Sequence, residues 1–161
     1  MAERMTARVR LVEGLSFEAE AGSGHHLRLD TAPEHGGHDA GFRPMELLLI
    51  GLVGCSGMDV LSILRKQRQQ VISYELVVEG IRSATHPKVF VEIRVEHLLT
   101  GRALQAEAVA RALELSVQRY CGAEAMLNKV ARITHTLRLL DVDTGREITA
   151  EVAPSKSTTA Q

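Results

Sequence analysis

Residues 44–70 constrain the fold more than any other part of the chain. They open on Pro44, run through the apolar stretch LLLIGLVGCSGMDV at 47–60 and close on ILRKQRQQ. Proline suits the first turn of a helix, where its missing N–H costs nothing, and cationic residues suit the last turn. The pattern predicts one helix, which at 1.5 Å per residue would be about 40 Å long. That is long for a chain of 161 residues. Residues 47–64 also approach the minimum length of a membrane span. Asp59, two serines and three glycines interrupt them, so a buried core helix is expected and no membrane partner. Gly51, Gly54 and Gly57 each cost the helix about 1 kcal/mol relative to alanine. Either a closely packed backbone or a ligand beside the helix is expected to offset that cost.

The flanking segments read as strands and a second helix. Residues 7–12, 15–21 and 25–30 alternate apolar and polar positions, as half-buried strands do, and 31–43, rich in Gly, His and Pro, reads as a loop. Residues 73–82 and 88–99 alternate in the same way, and 132–140 forms a last strand. Between them, 104–120 is amphipathic, with Val109, Ala112, Leu113, Ser116 and Tyr120 on one face. A short helical piece follows at 123–130. Grouped strands with segregated helices predict an α+β fold rather than a doubly wound sheet. The expected organisation is a single domain over 1–145 and a flexible tail over 146–161.

Composition removes several function classes. The net charge is −1 and aromatic residues are 3% of the chain, which leaves neither a basic footprint nor stacking surfaces for nucleic acid. Two cysteines are too few for a disulfide-stapled secreted scaffold. The N-terminal residues carry no apolar signal core, so a cytoplasmic location is expected. There is no GxxxxGK[ST] phosphate loop. His25, His26, His35, His38 and Asp39 cluster before the long helix without tight ligand spacing, so no metal is expected there.

Cys55 is the residue whose chemistry matters most. At 100° per residue, Pro44, Leu48, Gly51, Cys55, Asp59, Ser62 and Lys66 share one stripe of the helix. Its first half is apolar and its second half polar, with Cys55 at the junction. A cysteine there can be a small buried hydrophobe, a metal ligand or a nucleophile. Asp59, one turn on, does not activate a thiol, because a carboxylate disfavours a thiolate. A reactive Cys55 therefore needs a cation from elsewhere.

Three features together carry a resemblance. Pro44 opens a long helix, Cys55 lies eleven residues later, and Cys121 follows the second helix. The stretches RPMELLLIGLVGCSGMDVLSILRKQRQ and LELSVQRYCGAEAMLNKVARITHT resemble the OsmC/Ohr family, the osmotically inducible and organic hydroperoxide resistance proteins, in its YhfA-like branch. The resemblance implies an OsmC-like fold in an intertwined homodimer whose central helices pack together. It implies a thiol peroxidase acting on organic hydroperoxides without a cofactor. Cys55 would be the peroxidatic thiol, Cys121 the resolving thiol, and a small dithiol or lipoyl-type molecule the reductant.

The family's peroxidases commonly open this helix with Pro-Glu, that Glu holding an Arg against the cysteine. Here Met45 follows Pro44, and Glu46 is the nearest acid. Glu46 lies about 13.5 Å before Cys55 along the axis and about 180° round. Only a bent helix start or a partner subunit can bring it in. Arg28 matches the family's strand-borne arginine, with Arg43 as second choice. The competing expectation keeps the dimeric scaffold but makes it a binder of an apolar small molecule, or a thiol redox sensor without efficient turnover.

Overall fold

The alternating segments fold as strands, in two sheets. The structure, a computed structural model, describes residues 2–152. It divides into two compact units, Met1–Leu48 and Leu49–Gln161.

The first unit contains β1 (Ala7–Glu13), β2 (Ser16–Ala21) and β3 (His26–Leu29), an antiparallel sheet in the order β1-β2-β3. Gly14, at φ 52°, makes the tight turn between β1 and β2. The loop after β3 is organised by Asp30, which is buried and accepts hydrogen bonds from the N–H groups of Thr31 (2.8 Å), Ala40 (3.0 Å) and His38 (3.2 Å). Burial works against the charge, but those N–H groups hold the carboxyl well below the usual carboxylate range.

Helix α1 spans Pro44–Lys66. Its end falls before the expected Gln70, because Arg68 takes the left-handed conformation, at φ 56°, that stops a helix. Gln70 already belongs to the next strand.

The second unit is built on a four-stranded sheet in the order β4-β5-β6-β7, with β4 (Gln70–Arg82), β5 (Phe90–Arg102), β6 (Arg132–Asp141) and β7 (Glu147–Val152). β4–β5 and β6–β7 are antiparallel, whereas β5 and β6 are parallel. A parallel pair needs a crossover between its strands. Here the crossover is α2 (Ala106–Leu115), a π-helical turn (Ser116–Tyr120) and α3 (Gly122–Leu127). Strand β7 lies inside the segment expected to be a flexible tail; Ile148 and Val152 pack on the core, which orders it. The rest of that expected tail, 153–161, lies outside the described residues.

The core is aliphatic. Val60 and Leu64 of α1, Leu99 of β5, Val109, Ala112 and Leu113 of α2, and Leu137 and Leu139 of β6 form one buried cluster. Leu52, Ser56, Val60 and Leu64, at four-residue spacing, are the buried row of α1 and make it a core helix of this unit. The glycines of α1 differ. A Cβ on Gly57 would lie 3.0 Å from Leu76 Cδ1 of β4, so that glycine lets helix and sheet close together. A Cβ on Gly51 or Gly54 would meet nothing within 4 Å. Tyr120, expected on the buried face of the second helix, is 52% exposed. The π turn adds a residue to the last revolution, and Cys121 takes the buried place instead, at 3% exposure.

Gly80 of β4 faces the ring of buried Phe90, which a Cβ would approach to 2.5 Å. Gly80→Ala is expected to destabilise the fold by about 1–3 kcal/mol, as overpacking does. Urea unfolding of the variant against the parent checks this, with a lower midpoint as the expected result.

Candidate functional site

Two helical segments far apart in the chain meet around the cysteines. Ser116 at the start of the π turn directs its hydroxyl to Ser56 of α1, at 3.3 Å from its Oγ and 3.5 Å from its carbonyl oxygen. The Cys121 N–H completes the π turn by donating to the Ser116 carbonyl at 2.9 Å. Cys121 then leaves helical geometry and becomes the N-cap of α3, its Sγ accepting from the Glu124 N–H at 3.4 Å. This is the spacing of a capping box, with a sulfur in place of the usual hydroxyl. Cys121 Sγ also lies 3.9 Å from the Leu52 carbonyl of α1.

The result is a convergence of three donor atoms. Cys55 Sγ, Cys121 Sγ and a carboxylate oxygen of Asp59 all lie within 4.8 Å of one another. Cys55 is half-buried, Cys121 is buried and both are free thiols. Asp59 Oδ2 is buried without a hydrogen-bond partner among the described residues. Burial pushes the Cys121 thiol up to about 12; the Glu124 N–H pulls the other way, and the Cys55 sulfur and Glu124 charge reinforce the rise. Cys55 is thus the accessible sulfur and Cys121 the shielded one. As a ligand set, two thiols and a carboxylate suit a thiophilic ion such as zinc, leaving one tetrahedral position open. The histidine-rich loop does not converge in this way: among the described residues His25, His26, His35, His38 and Asp39 form no common ligand set.

Behind Cys121 runs a buried polar chain that sequence reasoning missed. Glu124 is wholly buried, and its Oε2 lies 3.2 Å from His135 Nε2. His135 Nδ1 lies 3.0 Å from His97 Nε2, and His97 Nδ1 lies 2.6 Å from the Tyr74 hydroxyl. With Glu124 as carboxylate and both rings neutral, the protons have one consistent arrangement. Tyr74 O–H donates to His97 Nδ1, His97 Nε2–H to His135 Nδ1, and His135 Nε2–H to Glu124. Burial, with a contribution from His135, depresses His97 to about 3, and burial raises the Tyr74 phenol. Glu124 Oε1 is buried with no hydrogen-bond partner among the described residues.

The signal for the histidines is present in the strand alternation. His97 shares the inward row of Ile93, Val95 and Leu99, and His135 that of Ile133, Leu137 and Leu139. The cue for Glu124 is its position three residues after Cys121.

Arg28 and Glu46 are engaged within the first unit. Arg28 Nη2 lies 3.7 Å from Glu13 Oε1. Glu46 Oε2 accepts from the Arg43 N–H at 2.9 Å, satisfying a backbone donor at the start of α1. Arg43, the second-choice arginine, pairs with Asp39 through its guanidinium.

The neutral state of His97 makes stability depend on pH. The unfolded chain binds a proton at His97 below about 6.5, the folded chain only near 3. Stability is therefore fully present above that upper value and falls as pH drops between the two. His97→Gln is expected to flatten this slope by up to about 1.4 kcal/mol per pH unit. Denaturant unfolding at a series of pH values measures it, and parallel slopes for parent and variant would refute the assignment.

The residues can now be set beside known proteins. The family profile described as OsmC-like protein matches residues 36–136. The protein YhfA of Escherichia coli strain K12 is 40% identical over 136 residues, 84% of this chain and 98% of its own. An OsmC-like protein of Mycoplasma pneumoniae superposes with a TM-score of 0.74 at 21% identity, over 86% of this chain and 99% of its own. A Legionella pneumophila structure described as an organic hydroperoxide resistance protein gives 0.62 at 19% identity, over 88% and 99%. At those identities the two structures share its fold.

Proposed function

Because the chain belongs to the OsmC-like family, we propose that it is a cofactor-free, thiol-dependent reductase of organic hydroperoxides, with Cys55 peroxidatic and Cys121 resolving. The observation that carries this reading is the approach of a half-exposed Cys55 sulfur and a buried Cys121 sulfur to within 4.8 Å. The name of the Legionella relative supplies the substrate class.

The Cys55 thiolate attacks the distal oxygen of the hydroperoxide. The O–O bond breaks, the alkoxide leaves as the alcohol on taking a proton, and Cys55 becomes a sulfenic acid. Cys121 attacks that sulfur, water leaves, and a disulfide forms. A small dithiol or lipoyl-type reductant restores both thiols by exchange. In this reading Arg28 and Glu46 are the activating cation and acid. The homodimer belongs to the same proposal. Ile50 and Met58 of α1 are exposed, at 46% and 77%, and the space beside Gly51 and Gly54 admits a second helix.

A redox sensor would share the first step and lack turnover. Mixing the reduced protein with cumene hydroperoxide and counting thiols over time tests the proposal. Loss of both thiols far faster than from free cysteine is expected. Cys55→Ser should abolish it, and Cys121→Ser should leave a sulfenic acid that dimedone traps. Arg28→Ala should slow the first step about tenfold or more. Thiol loss at the rate of free cysteine would sink the enzyme reading; fast oxidation without catalytic turnover on added dithiol would favour the sensor. In sedimentation, Gly54→Leu should shift the protein from dimer to monomer.

A further inference from the structure

Asp59 is the member of the thiol site that disulfide chemistry leaves without a task. Cys55 and Asp59 stand one turn apart on α1, and Cys121 comes to them from the N-cap of α3. A carboxylate takes no part in joining two sulfurs, yet one oxygen of Asp59 lies within 4.8 Å of both. Asp59 Oδ2 is buried with no hydrogen-bond partner among the described residues. A carboxylate oxygen shut away from water without a partner is unfavourable, and a bound ion removes the penalty. The spacing suits one. In a tetrahedral zinc site with Zn–S at about 2.3 Å and Zn–O at about 2.1 Å, neighbouring ligand atoms are about 3.6–3.8 Å apart. Atoms already within 4.8 Å of one another reach that spacing by side-chain shifts of about 1 Å or less. The surrounding bonding fits as well: the Glu124 N–H donates to Cys121 Sγ, at 3.4 Å, as hydrogen-bond donors do towards a metal-bound sulfur.

We propose that the reduced protein binds one thiophilic divalent cation, of the zinc class, through Cys55 Sγ, Cys121 Sγ and an Asp59 carboxylate oxygen, and that this ion withholds the Cys55 sulfur from peroxide. The site stands on geometry; the withholding of the sulfur rests on the reading of Cys55 and Cys121 as a peroxide-reactive pair. Two sulfurs select against magnesium and calcium, which take oxygen ligands. Cys55 and Asp59 are half-buried and Cys121 is buried, so the ion enters past the first two and the fourth ligand position is the one water can reach. On binding, each thiol gives its proton to solvent and a sulfur lone pair forms the bond to the metal; no electron is transferred. The ion is thus a competitor of the hydroperoxide and not a cofactor of its reduction. Oxidation proceeds from the metal-free fraction. The hydroperoxide takes two electrons from the two sulfurs and two protons from solvent, giving alcohol, water and the disulfide. A disulfide offers no thiolate, so the ion cannot rebind until a dithiol restores the pair. The arrangement stores the accessible thiol in a protected form and ties release of the ion to oxidation.

The full chain, reduced and then freed of reductant and metal, is titrated with Zn²⁺ in a calorimeter and with Co²⁺ in a spectrophotometer. One equivalent of each is expected to bind, Co²⁺ showing the thiolate charge-transfer and strong visible bands of a tetrahedral sulfur site. Mg²⁺ should give no signal. Asp59→Asn, which keeps both thiols and the shape of the side chain, should weaken zinc binding about 10–100-fold, and Cys121→Ser no less. The disulfide form should not bind. Zinc at ten times its Kd leaves about one chain in eleven free, so thiol loss to cumene hydroperoxide should slow about tenfold and recover on adding EDTA. Absence of saturable zinc binding, or binding unchanged in Asp59→Asn and Cys121→Ser, would overturn the site; the second result would place the ion on other groups, such as the histidine-rich loop. Thiol loss at an unchanged rate with zinc bound would overturn the protection. Zinc binding by a protein that cumene hydroperoxide does not oxidise would keep the site and refute the peroxidase reading alone.

Discussion

The seam between α1 and the corner where the π turn meets α3 is the constraint on which the site depends. It consists of few contacts: the Ser116 hydroxyl against Ser56, and the Cys121 sulfur near the Leu52 carbonyl. Each is modest alone, about 1 kcal/mol net. They matter because they lie in the row Leu52, Ser56, Val60 and Leu64, whose burial already commits α1 to the core. Hydrophobic burial sets how close the elements come, and the polar bonds set the register at which they stop. That register places Cys55, one residue before Ser56, beside Cys121.

The parallel pairing of β5 and β6 carries the same geometry from the other side. A parallel pair obliges the chain to cross over, and here the crossover contains α2, the π turn and α3. The strands that require the crossover also present His97 and His135 to its underside. Cys121 and Glu124 at the N-terminus of α3 are therefore backed by the sheet through a hydrogen-bonded chain. Cys55 is placed by a different element and remains half-exposed. The division of labour between an accessible and a protected sulfur follows from this difference in support.

The polar chain also shows how a low-dielectric interior can be used. Two imidazoles and a carboxyl in an aliphatic core are destabilising unless every proton has an acceptor. The arrangement from Tyr74 to Glu124 meets that requirement except at one oxygen. That His97 is neutral down to about 3 fits a chain that conveys orientation rather than charge.

Much of the architecture was legible in the residues. Alternation located six of the seven strands, Pro44 the start of α1, and the spacing of Pro44, Cys55 and Cys121 the family. These are local patterns, or combinations of them, and each follows from a period of 2.0 or 3.6 residues or from the chemistry of one residue type. Strand β7 was missed because its order comes from pairing with β6 and packing of Ile148 and Val152, not from its composition. The end of α1 was missed because a non-glycine residue, Arg68, adopts the left-handed conformation there. The sequence by itself determined that the chain offers two thiols, several acids and a set of histidines. Only the tertiary structure decided which of them meet. The meeting of Cys55 with Cys121, and of Glu124 with His135, His97 and Tyr74, depends on long-range packing and on a π turn that rotates Cys121 inward in place of Tyr120. No periodicity along the chain encodes those distances.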